Sequence, residues 1–244
     1  MPLEYIYICR HGFRSNWVDP SIKTGPTGMS RDPPLAAYGL TQSAQLAGFL
    51  SSPEALAPHP VPEKVFSSPF YRWVKLEHGV MEWYSPARPG TGLHPRPSSP
   101  KTLSPLFPDQ LDLSYDSTHF PSRKGELIRD LQDRADTFIE AWTGRVEEMG
   151  VRSVVVFGHA ASVIALGRAL TGNKYLDVSA GCASCSLYKR KTPSTTSTPA
   201  SASEKDLPPC GVGEWEPVWL GRADYLDNGV ERDWSVSTSP SDRR

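Results

Sequence analysis

The stretch Leu3-Glu-Tyr-Ile-Tyr-Ile-Cys-Arg-His-Gly12 decides the fold. Leu3 to Cys9 alternates and is rich in β-forming residues, Tyr5, Ile6, Tyr7 and Ile8, which predicts a strand; Arg10-His11-Gly12 stands where that strand ends. A second run, Ser153-Val-Val-Val-Phe157, is continuously apolar, the pattern of a strand covered on both faces in a parallel sheet, and Gly158-His159 follows it at once. Open α/β sheets bind ligands outside the carboxyl ends of their strands, so both histidines are expected on one rim.

Working outward, Gly39 to Leu50 reads as a helix with Leu40, Ala44, Ala47 and Leu50 at helical spacing. Glu126 to Met149 carries Leu127, Leu131, Ala135, Phe138, Ile139 and Trp142 and is the longest predicted helix, closed by Gly150, while Ala160 to Leu170 predicts another. Val65-Phe66 is a short strand candidate ending in Ser67-Ser68-Pro69, with Arg72 just beyond; Ala183 to Lys189 and Glu214 to Leu220 are further strands. Asp19 to Pro34 and Ser85 to Pro108 read as loops, the second leading into an acidic and aromatic patch from Asp109 to Tyr115. Residues 192–209 are of low complexity and 236–244 read as a frayed tail. The alternation predicts an α/β fold, a three-layer α/β/α sandwich on a mostly parallel central sheet, as one domain over residues 1–235.

Composition narrows the partners. A net charge of -1 gives no general attraction to nucleic acid or anionic membrane, so any anion affinity must come from locally gathered arginines. No apolar stretch approaches a membrane span and no signal-peptide pattern opens the chain, which predicts an intracellular protein. The four cysteines, Cys9, Cys182, Cys185 and Cys210, are too few for a disulfide scaffold; Cys182-Ala-Ser-Cys185 lacks a second ligand pair, so buried small side chains are expected rather than a metal or redox centre.

The residues past the strand ends are Arg10, His11 and Arg14, then Arg72, then His159. Guanidinium forks match phosphate oxygens and neutralise their charge, and a neutral imidazole can attack phosphorus without a metal. His11 is the expected nucleophile. His59, His94 and His119 lie in loops or beside prolines and are expected to be surface residues; His78 is a lesser candidate.

Four segments, Tyr7-Ile-Cys-Arg-His-Gly-Phe-Arg14, Phe66-Ser-Ser-Pro-Phe-Tyr-Arg72, Glu77-His-Gly-Val-Met-Glu-Trp83 and Phe157-Gly-His-Ala160, resemble in order the motifs of the histidine phosphatase, or phosphoglycerate mutase-like, superfamily. With Arg14-Ser-Asn-Trp17 and Asp224-Tyr-Leu-Asp-Asn-Gly229, the likeness is fullest to a fungal branch that contains a phosphatase-like subunit of the RNA polymerase III factor TFIIIC. The resemblance implies phosphorylation of His11, phosphoryl binding by Arg10, Arg14 and Arg72, a hydrogen bond from His159, and proton donation by Glu82, with Glu77 the rival acid. It implies no cofactor and no metal, and a small phosphorylated molecule or phosphoprotein as substrate. A phosphomutase, or a non-catalytic interaction subunit with protein partners in a transcription assembly, is the alternative.

The chain departs from that pattern at one place. Arg72 and Glu82 are ten residues apart, and Trp73-Val-Lys-Leu-Glu77 already reads as the next strand, so one crossover helix is missing after Arg72. A parallel crossover takes about a dozen residues or more, so either this strand is not parallel or the sheet edge rearranges.

Overall fold

In a computed structural model of the chain, residues 1–29, 32–69, 75–97, 99–192 and 210–234 are described. In chain order they form β1 (Tyr5–Arg10), α1 (Ala37–Ser51), α2 (Pro53–Leu56), β2 (Lys64–Ser67), β3 (Lys75–Leu76), α3 (Pro100–Leu103), α4 (Ile128–Glu147), β4 (Ser153–Gly158), α5 (Ala160–Thr171), β5 (Cys185–Arg190) and β6 (Trp215–Arg222). The sheet runs β3-β2-β4-β1-β5-β6. β3, β2, β4 and β1 are mutually parallel, and β5 and β6 close one side antiparallel. The expected α/β fold with a mostly parallel sheet is the one found.

Strand alternation divides the core. Ile6, Ile8, Val154 and Val156 point to the face covered by α4 and α5, where Phe138, Trp142 and Ile164 pack; Tyr5, Tyr7, Cys9 and Val155 point to the opposite face, against Leu46, Phe49 and Leu50 of α1. Three layers follow, as expected. β1 and β4 are adjacent and in register, Cys9 opposite Phe157 and Arg10 opposite Gly158, which brings both histidine-bearing ends to the same level.

Three expectations are corrected. Of the predicted inner face of α1, Leu50 is buried as expected, but Leu40 is 61% exposed and Ala44 and Ala47 are exposed; Gly39, Gln42, Leu46 and Phe49 are buried in their place. The roll is set by backbone contact, since a Cβ on Gly39 would lie 2.1 Å from the Phe13 carbonyl oxygen, and by Gln42 Oε1 accepting the Phe13 N–H at 2.9 Å. Apolar spacing does not carry that information. Second, the loop from Ser85 to Pro108 contains α3, capped by Ser99, and leads into Tyr115, which is buried and donates to Glu77.

Third, the short link between Arg72 and Glu82 does not prevent parallel pairing. β3 pairs with β2 in parallel, among the described residues through Phe66↔Lys75 and Ser67↔Leu76. Arg72, and Trp73 and Val74 of the predicted strand, lie outside the described residues, as do residues 193–209 of the low-complexity tract and 235–244 of the tail. Among the described residues no helix is long and apolar enough to cross a membrane. All four cysteines are free and buried.

Candidate active site

β1 delivers His11 and β4 delivers His159, and the two rings stand 5.2 Å apart between centroids. The His11 main-chain N–H donates to the Gly158 carbonyl at 3.1 Å, tying the two strand ends together. His159 sits at the N-cap of α5, its N–H donating to Ser162 Oγ at 2.9 Å, so the helix start fixes the ring's entry to the site. Gly12 is obligatory between histidine and loop because a Cβ there would lie 2.5 Å from the Gly39 carbonyl oxygen.

Arg14 occupies the centre. Its Nε donates to His11 Nε2 at 3.0 Å, and its Nη2 donates to Glu82 Oε2 at 3.1 Å and to His159 Nδ1 at 2.8 Å. A guanidinium only donates, which assigns both tautomers. His11 carries its proton on Nδ1, given to the Gly12 carbonyl at 2.7 Å, and His159 carries its proton on Nε2, given to Ser68 Oγ at 2.9 Å. Nε2 of His11 therefore presents a lone pair to the pocket. Burial first, then the charges of Arg14, His159 and Arg10, hold the His11 imidazole well below its ordinary value of 6.5, so it is neutral at physiological pH.

His11, Glu82 and His159 offer ligand atoms within 4.8 Å of one another, a grouping that could hold a metal ion. Here that trio already shares one cation, because the Arg14 guanidinium bonds to all three. Fixed positive charge at the centre suits an anion better than a second cation.

Glu82 is aligned by the loop before it. Arg134 of α4 is buried, pairs with Glu126 at 3.0 Å, and donates to the carbonyls of Gly79 and Met81 at 2.8 and 3.2 Å. Beside it the Trp83 indole N–H donates to the Glu126 carbonyl at 2.8 Å, and the Trp83 main-chain N–H donates to Glu82 Oε1 at 3.1 Å. Beyond Arg14 and Glu82 a cleft of about 420 Å³ opens, walled by Asn16, Ile22, Lys23 and Tyr84.

Other candidates fall away from this centre. Glu77 is fully buried and accepts from Tyr115 Oη and from the main-chain N–H of Gly79 and Thr118, which makes it a structural carboxylate rather than the rival acid. His78 is buried against Phe120 and Ser117, where desolvation lowers its imidazole to about 4. His59 packs edge-on to Tyr5 and Trp219, and His94 stacks on Tyr84, so neither is the plain surface residue expected. Arg10 does reach the site, but its Nη1 is given to the carbonyls of Ala180 and Arg232. Ser68, Trp17, Arg134 and Arg232 were missed. Ser68 and Trp17 lie inside quoted motifs, whereas nothing local in the sequence marks the other two.

The same architecture occurs in solved phosphatases. Ecdysone phosphate phosphatase from the silkworm Bombyx mori, in complex with tungstate, superposes with a TM-score of 0.54 at 16% identity, covering 82% of this chain and 96% of that one. A mycobacterial glucosyl-3-phosphoglycerate phosphatase complexed with VO3 gives 0.52 at 18% identity, covering 90% and 100%. The fold is that of the histidine phosphatase, or phosphoglycerate mutase-like, superfamily. In sequence the chain is 32% identical over 263 positions to the transcription factor tau 55 kDa subunit of Saccharomyces cerevisiae, with 96% of this chain aligned, and it spans 59% of that relative's length. No family model matches the chain.

Proposed function

We propose that this protein is a metal-independent phosphomonoesterase that works through a phosphohistidine on His11. The observation that carries the reading is the neutral His11 with its Nε2 lone pair turned to a pocket whose centre is a guanidinium. As a phosphomonoester enters, its oxygens take over the N–H groups that Arg14 now gives to His11, Glu82 and His159. Glu82, released by Arg14, takes up the proton of the monoanionic ester; His11 Nε2 then forms the N–P bond as the P–O bond to the leaving group breaks, and Glu82 gives that proton to the leaving oxygen. Water attacks the phosphoryl group next, Glu82 takes its proton, and the N–P bond breaks to release phosphate and neutral His11. Once Arg14 leaves Nδ1, His159 takes its other tautomer, the Ser68 hydroxyl donating to Nε2, and its Nδ1–H donates to the transferring group, while Arg10 and Arg72 bind phosphoryl oxygens.

The test is hydrolysis of p-nitrophenyl phosphate together with acid-labile phosphate on His11. The parent chain should turn over and label, and His11→Ala should do neither. Equal rates in both would end the catalytic reading.

A second reading is favoured by the yeast relative, whose name makes it a transcription factor subunit. In that case the chain is an interaction subunit in a transcription assembly, and Arg14 stays on His11 Nε2 and blocks the nucleophile. It would bind phosphate-like anions without turnover.

A further inference from the structure

Three guanidinium groups surround the Trp17 ring, with carbon centres 5.7 Å (Arg10), 5.6 Å (Arg14) and 5.1 Å (Arg232) from its centroid. Arg10 and Arg14 come from the start of the chain, next to His11. Arg232 arrives from near the end of the described residues and also lies 5.5 Å from the Phe13 ring.

The segment that brings Arg232 is fastened on both sides. The Cys182 N–H donates to the Glu231 carbonyl at 2.8 Å; the Ala180 N–H and Ser179 hydroxyl donate to the Asp233 carboxylate at 2.7 and 2.8 Å. Gln42 adds a bond to Glu231 at 3.3 Å. Between these anchors Arg232 has a φ of 52°, a left-handed conformation that residues with side chains seldom adopt. Ala183, whose N–H holds the His11 carbonyl at 3.1 Å, has a φ of 54°. Such conformations persist where the surroundings over-determine them and gather at functional sites.

The two halves of Arg232 face different tasks. Its carbonyl receives Arg10 Nη1. Its side chain is exposed, and among the described residues its guanidinium has no hydrogen-bond acceptor or ion pair, whereas Arg14 is paired with Glu82 and Arg10 is tied to two carbonyls. The uncommitted cation of the three is thus the one nearest the Trp17 face.

We propose that Arg232 is an anion-binding residue of this site, its guanidinium reaching the phosphoryl group alongside Arg10 and Arg14. The inference rests on the phosphoryl-site reading above. Stacking on Trp17 restricts the side chain before the anion arrives, which lowers the ordering cost of the contact.

Because Arg10 is held by the Arg232 main chain, substitutions at 232 remove the guanidinium and leave that bond in place. Tungstate titrated calorimetrically into the full chain is the test. Arg232→Gly suits the left-handed backbone and should bind about tenfold more weakly, the loss of one charge-assisted contact, with its unfolding temperature at or near the parent's. Arg232→Lys should fall between the two. If Arg232→Gly lowers the unfolding temperature, Arg232→Gln gives the same reading with a longer side chain. Parent-like affinity in a folded glycine or glutamine variant overturns the inference alone; no tungstate binding by the parent overturns the phosphoryl-site reading and this inference with it.

Discussion

At the residue scale the site is governed by who holds which proton. The low proton affinity of His11 follows mainly from burial, reinforced by Arg14, His159 and Arg10, so the group binds fewer protons folded than unfolded. Two consequences share that sign. The acid limb of the kcat/KM profile should lie below pH 6.5, the ordinary imidazole value, and a limb at or above it would contradict a neutral nucleophile. Stability assignable to His11 is present above pH 6.5 and lost as pH falls through the lower folded value, so His11→Ala should lose less stability on acidification than the parent in denaturant titrations. Glu82 carries a separate expectation. Glu82→Gln should slow hydrolysis of an alkyl phosphate by about a hundredfold or more and that of p-nitrophenyl phosphate much less, since nitrophenolate leaves without a proton. Equal losses on both substrates would remove Glu82 from the acid role.

At the scale of elements, two glycines of α1 should respond to alanine with opposite signs. Gly39→Ala puts a methyl 2.1 Å from the Phe13 carbonyl oxygen and should destabilise by about 1–3 kcal/mol. Gly48→Ala meets nothing within 4 Å and should stabilise by up to about 1 kcal/mol through helix propensity. Denaturant midpoints of the two variants decide the matter; matching signs would show that the approach of α1 to the loop after His11 is not rigid. The same helix shows what its sequence could not say. Its existence was legible from Leu40 to Leu50, but its roll was not, because a glycine contact and the Gln42 hydrogen bond set the buried face. α4 is the opposite case: Leu131, Ala135, Phe138, Ile139 and Trp142 were read as the inner face and are buried, since apolar packing dominates that face, with the buried Arg134 its polar exception.

At the scale of the whole molecule, the weak point is the sheet edge. Among the described residues β3 pairs with β2 at two positions, and residues 68–74 separate the two strands in sequence where about a dozen or more normally form a crossover with its helix. The alignment with the yeast subunit spans 263 positions, more than the 244 residues of this chain, so that relative carries residues this chain lacks. Inserting a helix of family length after Arg72 should raise the refolding yield above that of the present chain; equal yields would mean that the short edge costs nothing.

The sequence by itself determined the strands β1 and β4, the helices that follow their pattern, and the histidines at the strand ends, because two-residue and 3.6-residue periodicities are local properties of the chain. Only the tertiary structure decided that Arg14 bonds to His11, Glu82 and His159 at once, that Glu77 is a buried structural carboxylate, and that Arg232 stands beside Trp17. Those facts depend on contacts between residues far apart in sequence, from Arg14 to His159 and from Trp17 to Arg232, and no local pattern encodes the distance between them.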